Sequence, residues 1–258
     1  MFFELEIFKL FILVLVRVSG LMVSAPVLGS SSFPVVAKVG LTAAVAALIT
    51  PVLPVLDTPL PDGVLMFASM AIGEFLIGLI IGFVITILFA AVQVGGQIMD
   101  LQTGFGMMNV FNPAMETQFP IFGFFLFIVA VLYLLAINGH HMMLLALART
   151  YDHVDVGGFM VQPEMLWEIS TWGTAMFVDG VMIAAPVATA MLMAYVSMGL
   201  LGRLVPQIHL FVIGFPVTIA TGLFLAAAIL GIYVSVLDGM FERMEESVGV
   251  LIQNMGAA

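Results

Sequence analysis

The chain has 258 residues, of which 63% are hydrophobic and 9% charged, with a mean hydropathy of +1.24. Soluble domains carry roughly 25% charged residues, so this composition is that of an integral membrane protein. The formal charge of −10 rests on only six cations, which argues against nucleic acid as a partner, and the lack of cysteine excludes disulfides, iron–sulfur clusters and thiol catalysis.

Six apolar segments are each long enough for the ~20 residues that a bilayer span needs. The first runs from about Ile7 to Leu28 and contains Arg17. Glu4, Glu6 and Arg17 make the N-terminus a poor signal peptide, so residues 1 to 30 are expected to stay in the mature protein. A serine- and proline-rich turn at 29–34 leads to the second segment, Val35 to Leu56, and a turn rich in Pro and Asp closes it. The third, Val64 to about Val94, carries Glu74 and places Gly73, Gly78 and Gly82 close to one face, a small-residue pattern that suits helix packing.

Gln93 to Pro120 then departs from membrane-grade sequence. Gly95, Gly96, Gly104 and Gly106 loosen the backbone, and Pro113 and Pro120 disfavour helix just before them. Phe105, Met107, Met108 and Phe111 put soft apolar side chains on that backbone. The stretch is expected to be an irregular, hydrophobic loop lying in a channel or an interface.

The fourth segment, Ile121 to Leu147, ends in Asn138-Gly139-His140-His141 and a last apolar turn before Arg149. A polar region, 150–171, holds Asp152, His153 and Asp155, which read as solvated loop residues. The fifth segment, Trp172 to Leu201, contains Asp179 and Pro186, and Arg203 lies in the junction to the sixth, Ile208 to Leu237, which contains Pro216. An amphipathic tail, 238–258, follows. The fold class expected is an all-α integral membrane protein. Basic residues divide three against two between the two sides of a six-span topology, so no orientation follows and a simple up-and-down bundle is not implied.

Arg17, Glu74, Asp179 and Arg203 are the ionisable groups in or beside apolar segments, and each needs a partner or a wet face. They fit an intra- or inter-subunit ion pair better than a proton relay, which a denser carboxylate cluster would serve. His140 and His141 are adjacent, so on a helix they point about 100° apart and do not chelate one ion as an i, i+4 pair does. No metal, cofactor or catalytic residue is expected, and no enzyme motif is present. A small-solute secondary transporter, with helices broken at Pro186 and Pro216, is the alternative function; a membrane enzyme using His140, His141 and Asp179 is weaker.

Four stretches in order resemble the FliR/SctT family of bacterial type III export gates: RVSGLMVSAPVLGSSSFP (17–34), AVQVGGQIMDLQTGFG (91–106), NGHHMML (138–144) and GLLGRLVPQIHLFVIGFPVTI (199–219). The resemblance implies a hetro-oligomeric gate with FliP and FliQ homologues, beside FlhA-like and FlhB-like proteins, in the bacterial inner membrane at the flagellar basal body. Unfolded flagellar subunits would cross it. A FliP-like part would occupy residues 1–171 and a FliQ-like helical hairpin residues 172–237. The loop, about 103–118, would be a movable pore plug, with Gly104, Phe105, Gly106, Met107, Met108, Phe111, Asn112 and Pro113 as the matching residues.

Overall fold

The computed structural model describes residues 2–53, 60–106, 120–160, 162–205, 207 and 210–256. Regular structure among them is helical: α1 (Phe2–Ser24), α2 (Val35–Ile49), α3 (Val64–Thr103), α4 (Ile121–Ala136), α5 (Gly139–Arg149), α6 (Pro163–Leu204), α7 (Leu210–Ala228) and α8 (Leu230–Gly256), with 3₁₀ turns at Thr50–Val52 and Thr150–Asp152. Prolines set several starts. Pro34 and Pro120 stand just before α2 and α4, and Pro163 is the first residue of α6, where a missing N–H costs nothing.

Among the described residues, four helices are long and apolar enough to cross a membrane, or up to six spans when α4 with α5 and α7 with α8 each count as one bent span. The chain is therefore an all-α membrane protein, and its segment limits differ from the sequence reading in four places. First, α3 does not end near Val94 but continues to Thr103. Second, the fourth segment breaks at Asn138, the one described non-glycine residue with positive φ (56°), which favours asparagine's small polar side chain. Third, α6 begins at Pro163, so the latter part of the polar region is helix. Fourth, the sixth segment breaks between α7 and α8, and the amphipathic tail is the continuation of α8. The α6 and α7 helices run through Pro186 and Pro216 without ending, which removes the broken-helix feature that favoured a transporter.

The chain forms two compact units, and boundaries between them fall inside helices. The first comprises residues 1–87, 135–172 and 242–258. Leu13, Val14, Val18 and Leu21 of α1 are fully buried there, as are Ile77 and Ile81 of α3 and Leu147 of α5. The α1 and α3 backbones touch. A Cβ on Gly20 would lie 2.3 Å from the Phe75 carbonyl oxygen, one on Gly78 1.9 Å from the Arg17 carbonyl oxygen, and one on Gly82 2.0 Å from Ser24 Oγ. Ser24 is held in turn: its carbonyl accepts from Thr86 Oγ1 at 2.6 Å. A Cβ on Gly73, nearer the start of α3, would lie 3.2 Å from Phe159 Cβ. Near the start of α1, Lys9 Nζ meets Asp62 Oδ1 at 2.6 Å, and this ammonium holds the Asp62 carboxyl below the usual carboxylate range.

The second unit comprises residues 88–134 and 173–241. Its core includes Val92, Met99, Leu134, Val187, Met191 and Leu237, each fully buried. Phe89 packs edge-on against Phe127 and Phe241, at centroid distances of 5.5 and 6.3 Å. Tyr233 donates its hydroxyl to the Leu126 carbonyl at 2.9 Å, which gives a buried phenol its partner.

Candidate functional site: a pinned loop and a buried charge centre

Within the second unit, the polar stretch begins as helix, because its first glycines serve close packing. A Cβ on Gly95 would lie 2.9 Å from the Gly180 carbonyl oxygen, and one on Gly96 2.2 Å from the Gly123 Cα. Flexibility, the property first assigned to Gly95 and Gly96, is the wrong reading: small size is what these positions demand. The helix stops at Gly104, whose φ of +92° is the left-handed conformation that ends helices and favours glycine. A Cβ on Gly222 would strike Thr103 at 2.2 Å, so the last turn of α3 is also closely packed. Tyr195 adds a hydroxyl hydrogen bond to the Gln102 carbonyl at 2.5 Å.

Asp100 ties this end to the other side of the loop. Its carboxylate, 5% exposed, accepts the backbone N–H of Phe122 at 3.0 Å and of Gly123 at 3.3 Å. Those N–H groups belong to the first turn of α4 and have no partner within the helix, so the carboxylate caps α4 and favours its positive end. Phe105 then packs edge-on against Phe122 at 5.6 Å. The end of α3 and the start of α4 are therefore clamped together at one stem. Gly104, Phe105 and Gly106 lie in that stem, whereas Met107, Met108, Phe111, Asn112 and Pro113 lie outside the described residues. Sequence reading passed over Asp100. Its signal was a single carboxylate in an apolar turn, followed by a proline-started helix whose first amides need an acceptor.

Replacing Asp100 with Ala removes that cap, which for capping residues costs about 0.5–2 kcal/mol. Hydrogen exchange on the purified protein should show the Phe122 and Gly123 amides losing protection by about two- to thirtyfold. Asp100→Asn, which keeps only one of the two acceptor oxygens, should retain protection at one of these amides and lose it at the other. Equal loss in both variants would mean that the carboxylate's charge, and not its oxygen geometry, holds the stem.

The first unit holds a separate polar centre. Arg17 and Glu74 are both fully buried, and the guanidinium grips the carboxylate through two bonds, Nε to Oε2 at 2.5 Å and Nη2 to Oε1 at 3.0 Å. This bidentate fork is the geometry in which arginine binds carboxylates most strongly. Nη1 donates to Thr150 Oγ1 at 2.8 Å, and the guanidinium stands 3.8 Å from the Tyr151 ring centroid. Glu74 also accepts the N–H of Gly157 at 2.7 Å. Gly157 has φ +81°, and a Cβ there would lie 2.0 Å from Met70 Cε, so only glycine brings that N–H to the carboxylate. The pair thus fastens the 150–158 turn onto α1 and α3, while Asp152, His153 and Asp155 in the same turn stay exposed.

The other two candidate charges are placed differently. Asp179 is half-buried in α6, and Arg203 is exposed in the last turn of the same helix. At 1.5 Å per residue they stand roughly 36 Å apart along it, too far to pair with each other. His140 and His141 have ring centroids 4.3 Å apart, and among the described residues no group of three metal-ligating side chains forms.

An all-helical membrane protein with a clamped polar loop and a buried arginine–glutamate fork is the class these observations define. The sequence model for bacterial export proteins, family 1, matches residues 8–244, and the chain belongs to that family. It is similar to the flagellar biosynthetic protein FliR of Escherichia coli (strain K12), with 30% identity over 93% of this chain and 92% of that protein. FliR of Bacillus subtilis (strain 168) is 27% identical over 98% of both chains, and FliR of Pectobacterium carotovorum 26% identical over 94% of this chain and 92% of the relative.

Proposed function

We infer that the chain is a membrane-embedded component of the flagellar protein export apparatus, and that residues Gly104 to Pro113 form a movable plug in its pore. Membership of the export family and the FliR relatives support the apparatus. The observation that supports the plug reading is the stem at Asp100, where a carboxylate at the end of α3 caps the start of α4 and so fixes the base from which a plug would act. Gly104 and Gly106 flank the departure point and supply the hinge. Closure on this reading is steric and hydrophobic, because an apolar constriction stops water and ions by dewetting. No side chain is asked to perform chemistry, so the protein works without a catalytic residue, and the energy for export comes from its partners or from the proton gradient.

The partners on this reading are FliP and FliQ homologues, forming one pore with this chain for unfolded flagellar subunits, with FlhA-like and FlhB-like proteins beside it. Residues 172–237 serve as the FliQ-like hairpin, and the location is the bacterial inner membrane at the flagellar basal body. The long exposed apolar faces suit such packing: Val35, Val36, Val39 and Leu48 of α2, and Leu192, Met193 and Val196 of α6, are all exposed in the isolated chain.

Native mass spectrometry of the tagged protein in mild detergent tests the assembly. A stable association of one copy with two other small membrane proteins is expected; a solitary, solute-binding monomer contradicts the reading. In the assembled complex, deleting Gly104 to Pro113 should raise ion conductance in planar bilayers by an order of magnitude or more. Unchanged conductance in an intact assembly would remove the plug.

A further inference from the structure

The first unit contains a groove of about 250 Å³ between α5, α8 and the Ile85 turn of α3, separate from both the loop stem and the charge centre. Its floor is apolar: Met143, Val248 and Ile252 line it and are each less than a tenth exposed. Its rim is not. Arg149 from the last turn of α5 and Glu245 from α8 both line the groove, both are exposed, and no described residue forms an ion pair with either. In a chain with six cations and two buried or paired charge sites, one free cation and one free anion at the mouth of one apolar slot form a specific arrangement.

We propose that this groove binds a zwitterionic phospholipid whose headgroup carries a phosphate and a primary ammonium. The phosphate meets the Arg149 guanidinium, the ammonium meets the Glu245 carboxylate, and an acyl chain lies along the methionine-walled floor. Three features favour lipid over other occupants. Arg149 lies three residues before Asp152, where the bent apolar helix pair ends, and long basic side chains near helix ends reach toward headgroups. Methionine walls adapt to a flexible chain. One charge of each sign matches a zwitterion and repels half of a purely anionic headgroup, which basic pockets select instead. The inference does not depend on the plug.

Gly249 makes the test clean. It lines the groove, and a Cβ built on it has no other atom within 4 Å, so a side chain starts there without a clash at its Cβ. The full-length chain is purified in detergent, stripped of lipid, and titrated with dioleoyl phosphatidylethanolamine or dioleoyl phosphatidylglycerol under native mass spectrometry. The expected result is at least tenfold preference for phosphatidylethanolamine. Gly249→Leu should abolish that preference without lowering thermal stability, leucine being the better helix former, and Glu245→Gln should cut it severalfold while leaving phosphatidylglycerol binding unchanged or stronger. Arg149→Gln should weaken both lipids. Equal binding of the two lipids by the unaltered protein, or binding that Gly249→Leu leaves intact, overturns the proposal.

Discussion

Arg17→Leu should be the most damaging single substitution in the first unit. It leaves the Glu74 carboxylate, fully buried, with only the Gly157 N–H and no countercharge. Removing one partner of a buried ion pair costs about 3–5 kcal/mol, because the remaining charge keeps its desolvation penalty. Glu74→Gln should be comparably harmful, since the amide leaves the guanidinium unneutralised against the Tyr151 ring and Thr150. The double variant Arg17→Leu/Glu74→Leu should recover part of the loss, because two apolar side chains of similar volume leave no naked charge. Full recovery is not expected: in the double variant Thr150 Oγ1 loses its donor and the Gly157 N–H loses its acceptor. Tryptophan fluorescence unfolding in detergent reads the three variants. A double variant worse than either single one would show that the pair's charge, and not its neutral packing, holds the 150–158 turn.

Gly78→Val should rank with it, for a different reason. The new Cβ would stand 1.9 Å from the Arg17 carbonyl oxygen and 2.9 Å from the Leu21 amide nitrogen, both backbone atoms of α1. No rotamer relieves a clash with backbone, so α1 must move bodily away from α3. Overpacking of a tight core costs about 1–3 kcal/mol, and a helix displacement lies at the top of that range or beyond it. Gly40→Ala in α2 is the control: its Cβ has nothing within 4 Å and, by helix propensity, should stabilise by up to about 1 kcal/mol. Equal melting temperatures for Gly78→Val and the parent protein would rule out the close crossing. Because Gly78 touches the Arg17 backbone, combining its substitution with Arg17→Leu should fall short of additivity.

The helical content, the number of apolar segments and the small-residue face of α3 were legible in sequence because each has a period or a composition of its own. Pairing was not. Arg17 and Glu74 are separable as costly charges, but their separation in sequence is 57, and only the crossing of α1 and α3 brings them together. The polar stretch after Val94 misled because glycine has two uses. At Gly104 it supplies a positive φ, while at Gly95 and Gly96 it removes a Cβ, and sequence alone does not separate the two. The break at Asn138 carried its own signal in the Asn-Gly dipeptide, which the surrounding apolar run masked. In α8 the charges of the tail hid a continuous stripe: Tyr233, Leu237, Met240, Phe241, Val248, Leu251, Ile252 and Met255 are buried at helical spacing. Asp100 was unreadable without the fold, since its two partners lie beyond the loop it closes.

The buried fork also has a place in biosynthetic time. Arg17 leaves the ribosome 57 residues before Glu74, so α1 reaches the membrane as an apolar segment with a bare guanidinium near its centre. An unpaired arginine there costs about 2.5–3.5 kcal/mol on insertion scales. That penalty is relieved once α3 brings the Glu74 carboxylate against the guanidinium. The first helix is thus held in a provisional state until the third vouches for it, and a chain that stalls between them is marked as unfinished by its own exposed charge.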